Sequence, residues 1–341
     1  MASPTSRPNA QKEPTLTTLR FAQPSDAEEL SNIYKRYVID SFVSFETTPP
    51  TVDQFAERIE HIQQQFPWLV IEDNERCLGY AYASPHRSRA AYQWSTEVSV
   101  YLDDDIHRQG VGTRLYNELF RLLQIQGYVN AYAGITIPNP KSLGFHNKLG
   151  FEEVGIYKQV GYKAGRWCDV VWLSRSLQAP PTPPSSPIPL PSLLACMPHQ
   201  HVQDIVDDDT FLHRFERQEI SLTCWDHRAH VRVAWKYIQQ EASLERAYTR
   251  MRDGIYALLD HNGISQDKYN ETVTRGYLIL IAKAVGEKTQ SWCRFYKDNP
   301  SLFDRTSPPL LAYYTKEELL SDEARQSWIQ PSKRDFGDID W

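Results

Sequence analysis

The chain has 341 residues, 41% of them hydrophobic and 23% charged, with a net charge of −6 and a pI near 6.0. That length is comfortable for two cores, and the composition is that of a soluble globular protein. The acidic balance excludes a global basic field that would hold nucleic acid or an anionic membrane.

Residues 1–16 are polar and lack the apolar core of a signal peptide; they are expected to be disordered. Residues 19–21 read as a short strand. Pro24, Ser25 and Asp26 open a helix, with Ser25 or Asp26 as its cap, that runs on through Leu30, Ile33, Tyr34 and Tyr37. A second amphipathic helix covers 52–65. Strands at 68–72 and 77–84 flank a turn at 73–75.

The next element is the most informative one. A β-branched strand at 94–102 carries the acid Glu97, and a polar turn leads into Gly110-Val111-Gly112 and a helix at 113–126. A glycine-rich loop opening a helix aims several backbone N–H groups at one spot, where the helix dipole adds positive character. That suits a pyrophosphate, and a nearby carboxylate suits a general base acting on a phosphate-bearing carrier's cargo. The plainer alternative is a strand–turn–helix that uses glycine for tight packing. A strand at 128–137 follows, then a helix at 140–149 ending at Gly150, then closing strands at 152–160 and 167–173.

Eight of the 22 prolines fall within 178–198, which is expected to be an extended linker between a domain at 17–177 and another at 199–341. The first has the mixture of hairpins and crossovers of an α/β mixed sheet. The second carries amphipathic runs at 225–240, 244–261 and 269–285 and reads as an all-α bundle, its aromatic residues forming core and its tail from 322 docking loosely or remaining partly disordered. The five cysteines, Cys77, Cys168, Cys196, Cys224 and Cys293, are odd in number, widely spaced and form no C-x-x-C; they read as free thiols in a reducing, cytoplasmic setting.

The first domain resembles the GNAT superfamily of acetyl-CoA-dependent N-acetyltransferases, and within it the phosphinothricin N-acetyltransferases and their relatives. The likeness rests on an ordered series of motifs: S-F-E at 44–46, F-P-W-L-V at 66–70, G-Y-A-Y-A at 79–83, R-S-R-A-A-Y-Q-W-S-T-E at 87–97, the G-x-G loop, P-N-P-K-S-L-G-F-H-N-K-L-G-F at 138–151 and G-R-W-C-D at 165–169. The resemblance implies acetyl-CoA as co-substrate. Backbone groups of Val98, Ser99 and Val100 would line the pantetheine arm. Loop amides of Arg108, Gln109, Gly110, Val111, Gly112 and Thr113 would cradle the pyrophosphate, and Asn139 would bind near the thiol end. Glu97 takes the general-base position, and His146 matches a position assigned to acid–base work. As plain residues, Glu97 could equally be a salt-bridged strand glutamate and His146 a packing histidine. His107 stands where the superfamily has Gln or Arg, and Cys168 where His is frequent.

Phe45, Arg87, Arg89 and Tyr92 are the expected acceptor-binding residues, since paired arginines suit a carboxylate or phosphinate; the alternative is two solvated loop arginines. The expected activity is acetylation of the amino group of a small anionic amino acid or analogue, in detoxification or small-metabolite biosynthesis.

In the helical half, His227 and His230 share a helix face, and Glu271 opens a neighbouring helix. Together they could bind Zn or Fe and carry a separate metal-dependent step; the alternative is a set of capping residues. A third account makes this half an interaction module that recruits a partner or forms a homodimer.

Overall fold

A computed structural model describes residues 17–337 apart from 75, 107–109 and 286–290. The segment 1–16, expected to be disordered, lies outside the described residues. The chain divides into two compact units, Met1–Pro187 and Ile188–Trp341.

The first unit runs β1 (Thr18–Phe21), α1 (Ala27–Ile39), α2 (Val52–Gln63), β2 (Trp68–Asp73), β3 (Arg76–Pro85), β4 (Ser95–Leu102), α3 (Val111–Gln126), β5 (Asn130–Ile137), α4 (Pro140–Lys148), β6 (Glu152–Lys163) and β7 (Arg166–Ser176). The strands form one seven-stranded sheet in the order β1-β2-β3-β4-β5-β7-β6. Every pairing is antiparallel except β4 with β5, which are joined through α3. Trp68, Leu69, Val70 and Ile71 of β2 are all buried, because helices cover both faces of the sheet. Trp68, Val70 and Tyr80 pack with Leu30, Ile33 and Tyr34 of α1 and Phe55 and Ile59 of α2. The alternate residues face α3, whose Leu115, Leu119, Leu122 and Leu123 are fully buried.

Local chemistry sets the helix starts. Thr51 and Gln54 form a reciprocal capping box at α2. Asp26 does not cap α1 with its side chain. It accepts from the Gln23 N–H at 2.7 Å and pairs with Arg20, so one 3₁₀ turn precedes α1. The closing hairpin is longer than expected because Ala164 and Gly165, both with positive φ, make a two-residue turn that lets pairing run to its tip.

The second unit contains α5 (Leu190–Cys196), α6 (Asp208–Glu216), α7 (His227–Gln240), α8 (Leu244–His261), α9 (Glu271–Val285), α10 (Trp292–Asp298), α11 (Lys316–Leu320) and α12 (Asp322–Gln326). The helices α7, α8 and α9 pack mutually around buried Trp235, Tyr237, Tyr248 and Leu278. The segment expected to be an extended spacer is partly helical. Pro191 lies in the first turn of α5, where no backbone donor is needed, and Leu190, Leu193 and Cys196 are buried.

Two further expectations are corrected. Cys196 and Cys293 form a disulfide across 97 residues, their Cα atoms 5.5 Å apart, while Cys77, Cys168 and Cys224 are free and buried. The tail does not dock loosely: Phe336 is buried and stacks on Tyr313 with ring centroids 4.0 Å apart. Among the described residues no helix is long and apolar enough to cross a membrane.

Candidate active site

The site begins where two strands part. Parallel pairing of β4 with β5 covers only Ser95 with Asn130, Thr96 with Ala131 and Glu97 with Tyr132. Beyond Glu97, β4 keeps β3 as its neighbour as far as Leu102, and β5 keeps β7 as far as Ile137. The backbone edges of 98–101 and 133–137 therefore diverge and leave a wedge in the middle of the sheet. Polar backbone groups on such an edge suit an extended amide-bearing chain that adds itself as a strand.

Glu97 lies at the apex of this wedge with 30% of its side chain exposed. Burial raises its carboxyl above the ordinary range, and the Arg87 cation pulls it back. Arg87 approaches Glu97 Oε1 at 3.4 Å and donates to the His86 carbonyl at 2.8 Å.

His86 was not singled out from the sequence. Its Nδ1 lies 3.1 Å from Glu97 Oε1, and its ring stacks on Tyr132 at 4.2 Å with 10° between planes. With Glu97 ionised, that contact requires the proton on Nδ1, leaving Nε2 as an acceptor. Burial and Arg87 lower the pKa of His86, so the ring is neutral at pH 7. The available signal was positional. Ser84 pairs with Glu97 across β3 and β4, and His86 comes two residues later on the same face. Tyr82, on that face too, bonds to Ser99, and burial raises its phenol pKa.

Arg87 borders two cavities. One, of about 220 Å³, is walled by His86, Tyr132, Tyr157 and Trp172. The other, of about 450 Å³, contains Arg89 and Tyr92. Three of the four expected acceptor residues thus adjoin one another. Phe45 lines neither cavity. It packs on β6 against Gly161, where a Cβ would run into its ring.

The described part of the glycine loop shows why glycine stands at two positions. Gly110 caps α3 in the left-handed region at φ 78°, which favours glycine. Gly112 is buried, and a Cβ there would meet the Phe145 ring at 3.3 Å, so it permits close packing of α3 on α4. Val111 is buried and Thr113 exposed, and α3 starts at Val111 rather than 113. His107, Arg108 and Gln109 lie outside the described residues. Asn139 caps α4, its Oδ1 accepting from Ser142 N at 3.1 Å; its NH₂ makes no hydrogen bond among the described residues.

His146 has the surroundings of a packing residue. It is buried against Phe145, Phe151 and Tyr116, Nδ1 lies 2.8 Å from the Ser142 carbonyl, and Nε2 lies 3.3 Å from the Tyr116 hydroxyl. Burial lowers its pKa. On the closing hairpin, Asp169 is held by Lys158 and the Gln159 N–H, Cys168 is buried and Trp167 is exposed.

The expected metal ligands are not assembled. His227 Nε2 donates to the Leu302 carbonyl at 2.8 Å, and His230 Nδ1 to the Asp226 carbonyl at 2.8 Å. Glu271 accepts from the Tyr248 and Tyr269 hydroxyls and pairs with Arg275, which uses both carboxylate oxygens. Among the described residues no group of three or more His, Cys, Asp or Glu could hold a metal ion.

The mixed sheet is split at its parallel pair, with a carboxylate at the split and a glycine-capped helix beyond it, as the resemblance to the N-acetyltransferases implies. Residues 19–172 match the acetyltransferase (GNAT) domain, and the chain belongs to the GNAT family of acetyl-CoA-dependent N-acetyltransferases. It is 36% identical over 167 residues to the phosphinothricin N-acetyltransferase of Streptomyces viridochromogenes, an alignment covering 48% of this chain and 91% of that one. It is 32% identical over 162 residues to the L-methionine sulfoximine/L-methionine sulfone acetyltransferase of Pseudomonas aeruginosa, covering 47% and 94%. A solved phosphinothricin acetyltransferase from Sinorhizobium meliloti, in complex with AcCoA, aligns over 50% of this chain and 92% of that chain at 33% identity, with a TM-score of 0.47.

Proposed function

We propose that the N-terminal unit acetylates the α-amino group of a small amino acid or amino-acid analogue that carries an anionic group. The observation that carries this reading is the half-buried Glu97 at the strand split, flanked by neutral His86 and cationic Arg87. The names of two relatives, acting on phosphinothricin and on methionine sulfoximine or sulfone, support the acceptor class.

Acetyl-CoA supplies an activated acetyl thioester. The residues present fit it: the β4 edge at Val98, Ser99 and Val100 faces the wedge, Gly110 opens α3, and the Asn139 NH₂ is a spare donor. Glu97, directly or through a water, takes a proton from the acceptor's ammonium so that its nitrogen can attack. A carbon–nitrogen bond forms, the carbon–sulfur bond breaks, and the leaving sulfur takes up a proton. His86 donates Nδ1–H to Glu97 and so holds the ionised carboxylate in place. Arg87, Arg89 and Tyr92 receive the acceptor's anionic end.

Thiol release from acetyl-CoA, measured over a panel of acceptors, tests this. Phosphinothricin, methionine sulfoximine and free amino acids should support release, whereas the corresponding amino-acid amides and simple amines should not. Equal rates for acids and amides would refute the anionic-acceptor reading.

The pH profile provides a second check. Because Glu97 must be ionised, kcat/KM falls as pH drops through its raised pKa. Arg87→Gln removes the cation that holds this pKa down, and His86→Phe removes a donor to the ionised form. Both variants should move the acid limb to higher pH, and Arg87→Gln should also raise the KM of the acceptor. An unmoved limb in both would separate these residues from the base.

We also place the enzyme in the cytoplasm, where acetyl-CoA is available. The Cys196–Cys293 disulfide weighs against a strongly reducing setting. Alkylation of the protein unfolded in denaturant straight from its cells decides the matter: two modifiable thiols at Cys196 and Cys293 agree with the placement, and a protected pair contradicts it.

A further inference from the structure

The helical unit contains a cavity of about 380 Å³ between α7, α8 and α9. This lies within the range of roughly 300–1,000 Å³ typical of small-molecule sites. Its interior is apolar, formed by Val231, Ala234, Met251, Ile255 and Leu278. Trp225, stacked on Phe215 at 4.7 Å and against His230 at 4.1 Å, and Tyr277 also line it, and Asp226, His227, His230, Thr274 and Arg305 supply its polar groups.

The chemistry of those groups is selective. His230 commits Nδ1–H to the Asp226 carbonyl, and burial pushes its pKa down to about 4. At neutral pH its Nε2 is therefore a lone-pair acceptor, and no protein donor meets it among the described residues. His227 commits Nε2–H to the Leu302 carbonyl, which leaves Nδ1 as an acceptor too. Asp226, the carboxylate on the cavity wall, caps the Ala229 N–H at 3.0 Å and pairs with Arg228 at 2.7 Å. Arg305 is exposed and has no carboxylate partner among the described residues. The uncompensated charge of the cavity is therefore one guanidinium, whose planar fork matches a carboxylate. Asp226 is the one carboxylate among the described lining residues, and both its oxygens are engaged, so an ammonium group finds no uncommitted anion there.

We propose that this cavity is a second ligand site, separate from the acetyltransferase site, that takes a small carboxylic acid with a flat apolar body and no ammonium group, its carboxylate on Arg305 and its body against the apolar wall of Val231, Ala234, Met251 and Leu278. A hydroxyl on the body would donate to His230 Nε2. Zwitterionic amino acids are disfavoured because their ammonium would be desolvated beside a cation.

Isothermal titration of the full-length protein with 3-phenylpropionate tests this, with phenylalanine as the zwitterionic counterpart. Saturable 1:1 binding of 3-phenylpropionate is expected, with quenching of tryptophan fluorescence from Trp225, and at least tenfold weaker binding of phenylalanine. Arg305→Gln should weaken 3-phenylpropionate by about tenfold or more, the scale of a lost charge-assisted bond. That variant changes an exposed side chain, so folding is not at risk. Ala234→Trp, checked for a native far-UV spectrum, should abolish binding by filling the cavity. Both variants should retain acceptor-dependent thiol release. Absence of saturable binding, equal binding of phenylalanine, or binding unchanged in Arg305→Gln would each overturn the assignment.

Discussion

Glu97→Gln is expected to lower kcat by about 10²- to 10⁴-fold, the usual worth of a positioned general base. Glutamine retains the shape of the side chain and can still accept from His86 or Arg87, but it cannot take a proton at neutral pH. The loss should appear equally in kcat and kcat/KM, because proton removal is a feature of the transition state and not of binding. The affinity for acetyl-CoA should stay unchanged, since the Glu97 side chain is not among the groups proposed to hold it. Raising the pH toward the acceptor's ammonium pKa should partly rescue the variant, as should an acceptor amine of low pKa, because in either case the amine arrives already deprotonated. Normal turnover with an ordinary amino-acid acceptor would remove Glu97 from the mechanism.

The largest expected effect on stability lies in the helical unit. Arg232 on α7 is only 1% exposed, and its guanidinium donates to Asp208 at 2.6 and 2.9 Å and to the Val206 carbonyl at 2.8 Å. The Phe211 ring lies 4.4 Å below it. Asp208→Ala leaves this cation buried without its counter-charge, which costs about 3 kcal/mol at the lower end of the range for broken buried pairs. The lower end applies because Asp208 itself keeps 23% exposure and water can partly replace it. Loss of an acid from the first turn of α6 adds a few tenths of a kcal/mol. Denaturant unfolding followed by circular dichroism should show the helical unit melting earlier. The double variant Asp208→Ala with Arg232→Met should recover much of the loss by removing the stranded charge. A change below about 1 kcal/mol in the single variant would mean that Arg232 reaches water after all.

Much of the catalytic unit was legible because its signals are local. Alternation and β-branching mark the strands, leucine spacing marks α3, and glycine followed by an apolar helix marks the loop. The motif series pointed to Glu97, and the structure puts that residue at the split between β4 and β5. His86 was not visible in the same way, because it matters only through the register that sets Ser84 opposite Glu97. Phe45 was legible as a motif residue, yet its contact with Gly161 on β6 depends on a pairing more than 100 residues away in sequence.

The helical unit shows the opposite balance. Spacing correctly puts His227 and His230 within one turn, but spacing carries no information about what each nitrogen meets. Leu302, 75 residues later, takes His227, and Tyr248, Tyr269 and Arg275 consume Glu271. The pairing of Cys196 with Cys293 likewise depends on packing of α5 against α10. The amino-acid order by itself determined which segments are helix or strand, where glycine and proline interrupt them, and which acid heads the strand before the loop. Those properties follow from backbone sterics and from the burial of one face. Only the tertiary structure decided which polar groups are already satisfied and which remain free for chemistry, because a hydrogen bond is spent on whichever partner the packed chain brings within 3 Å.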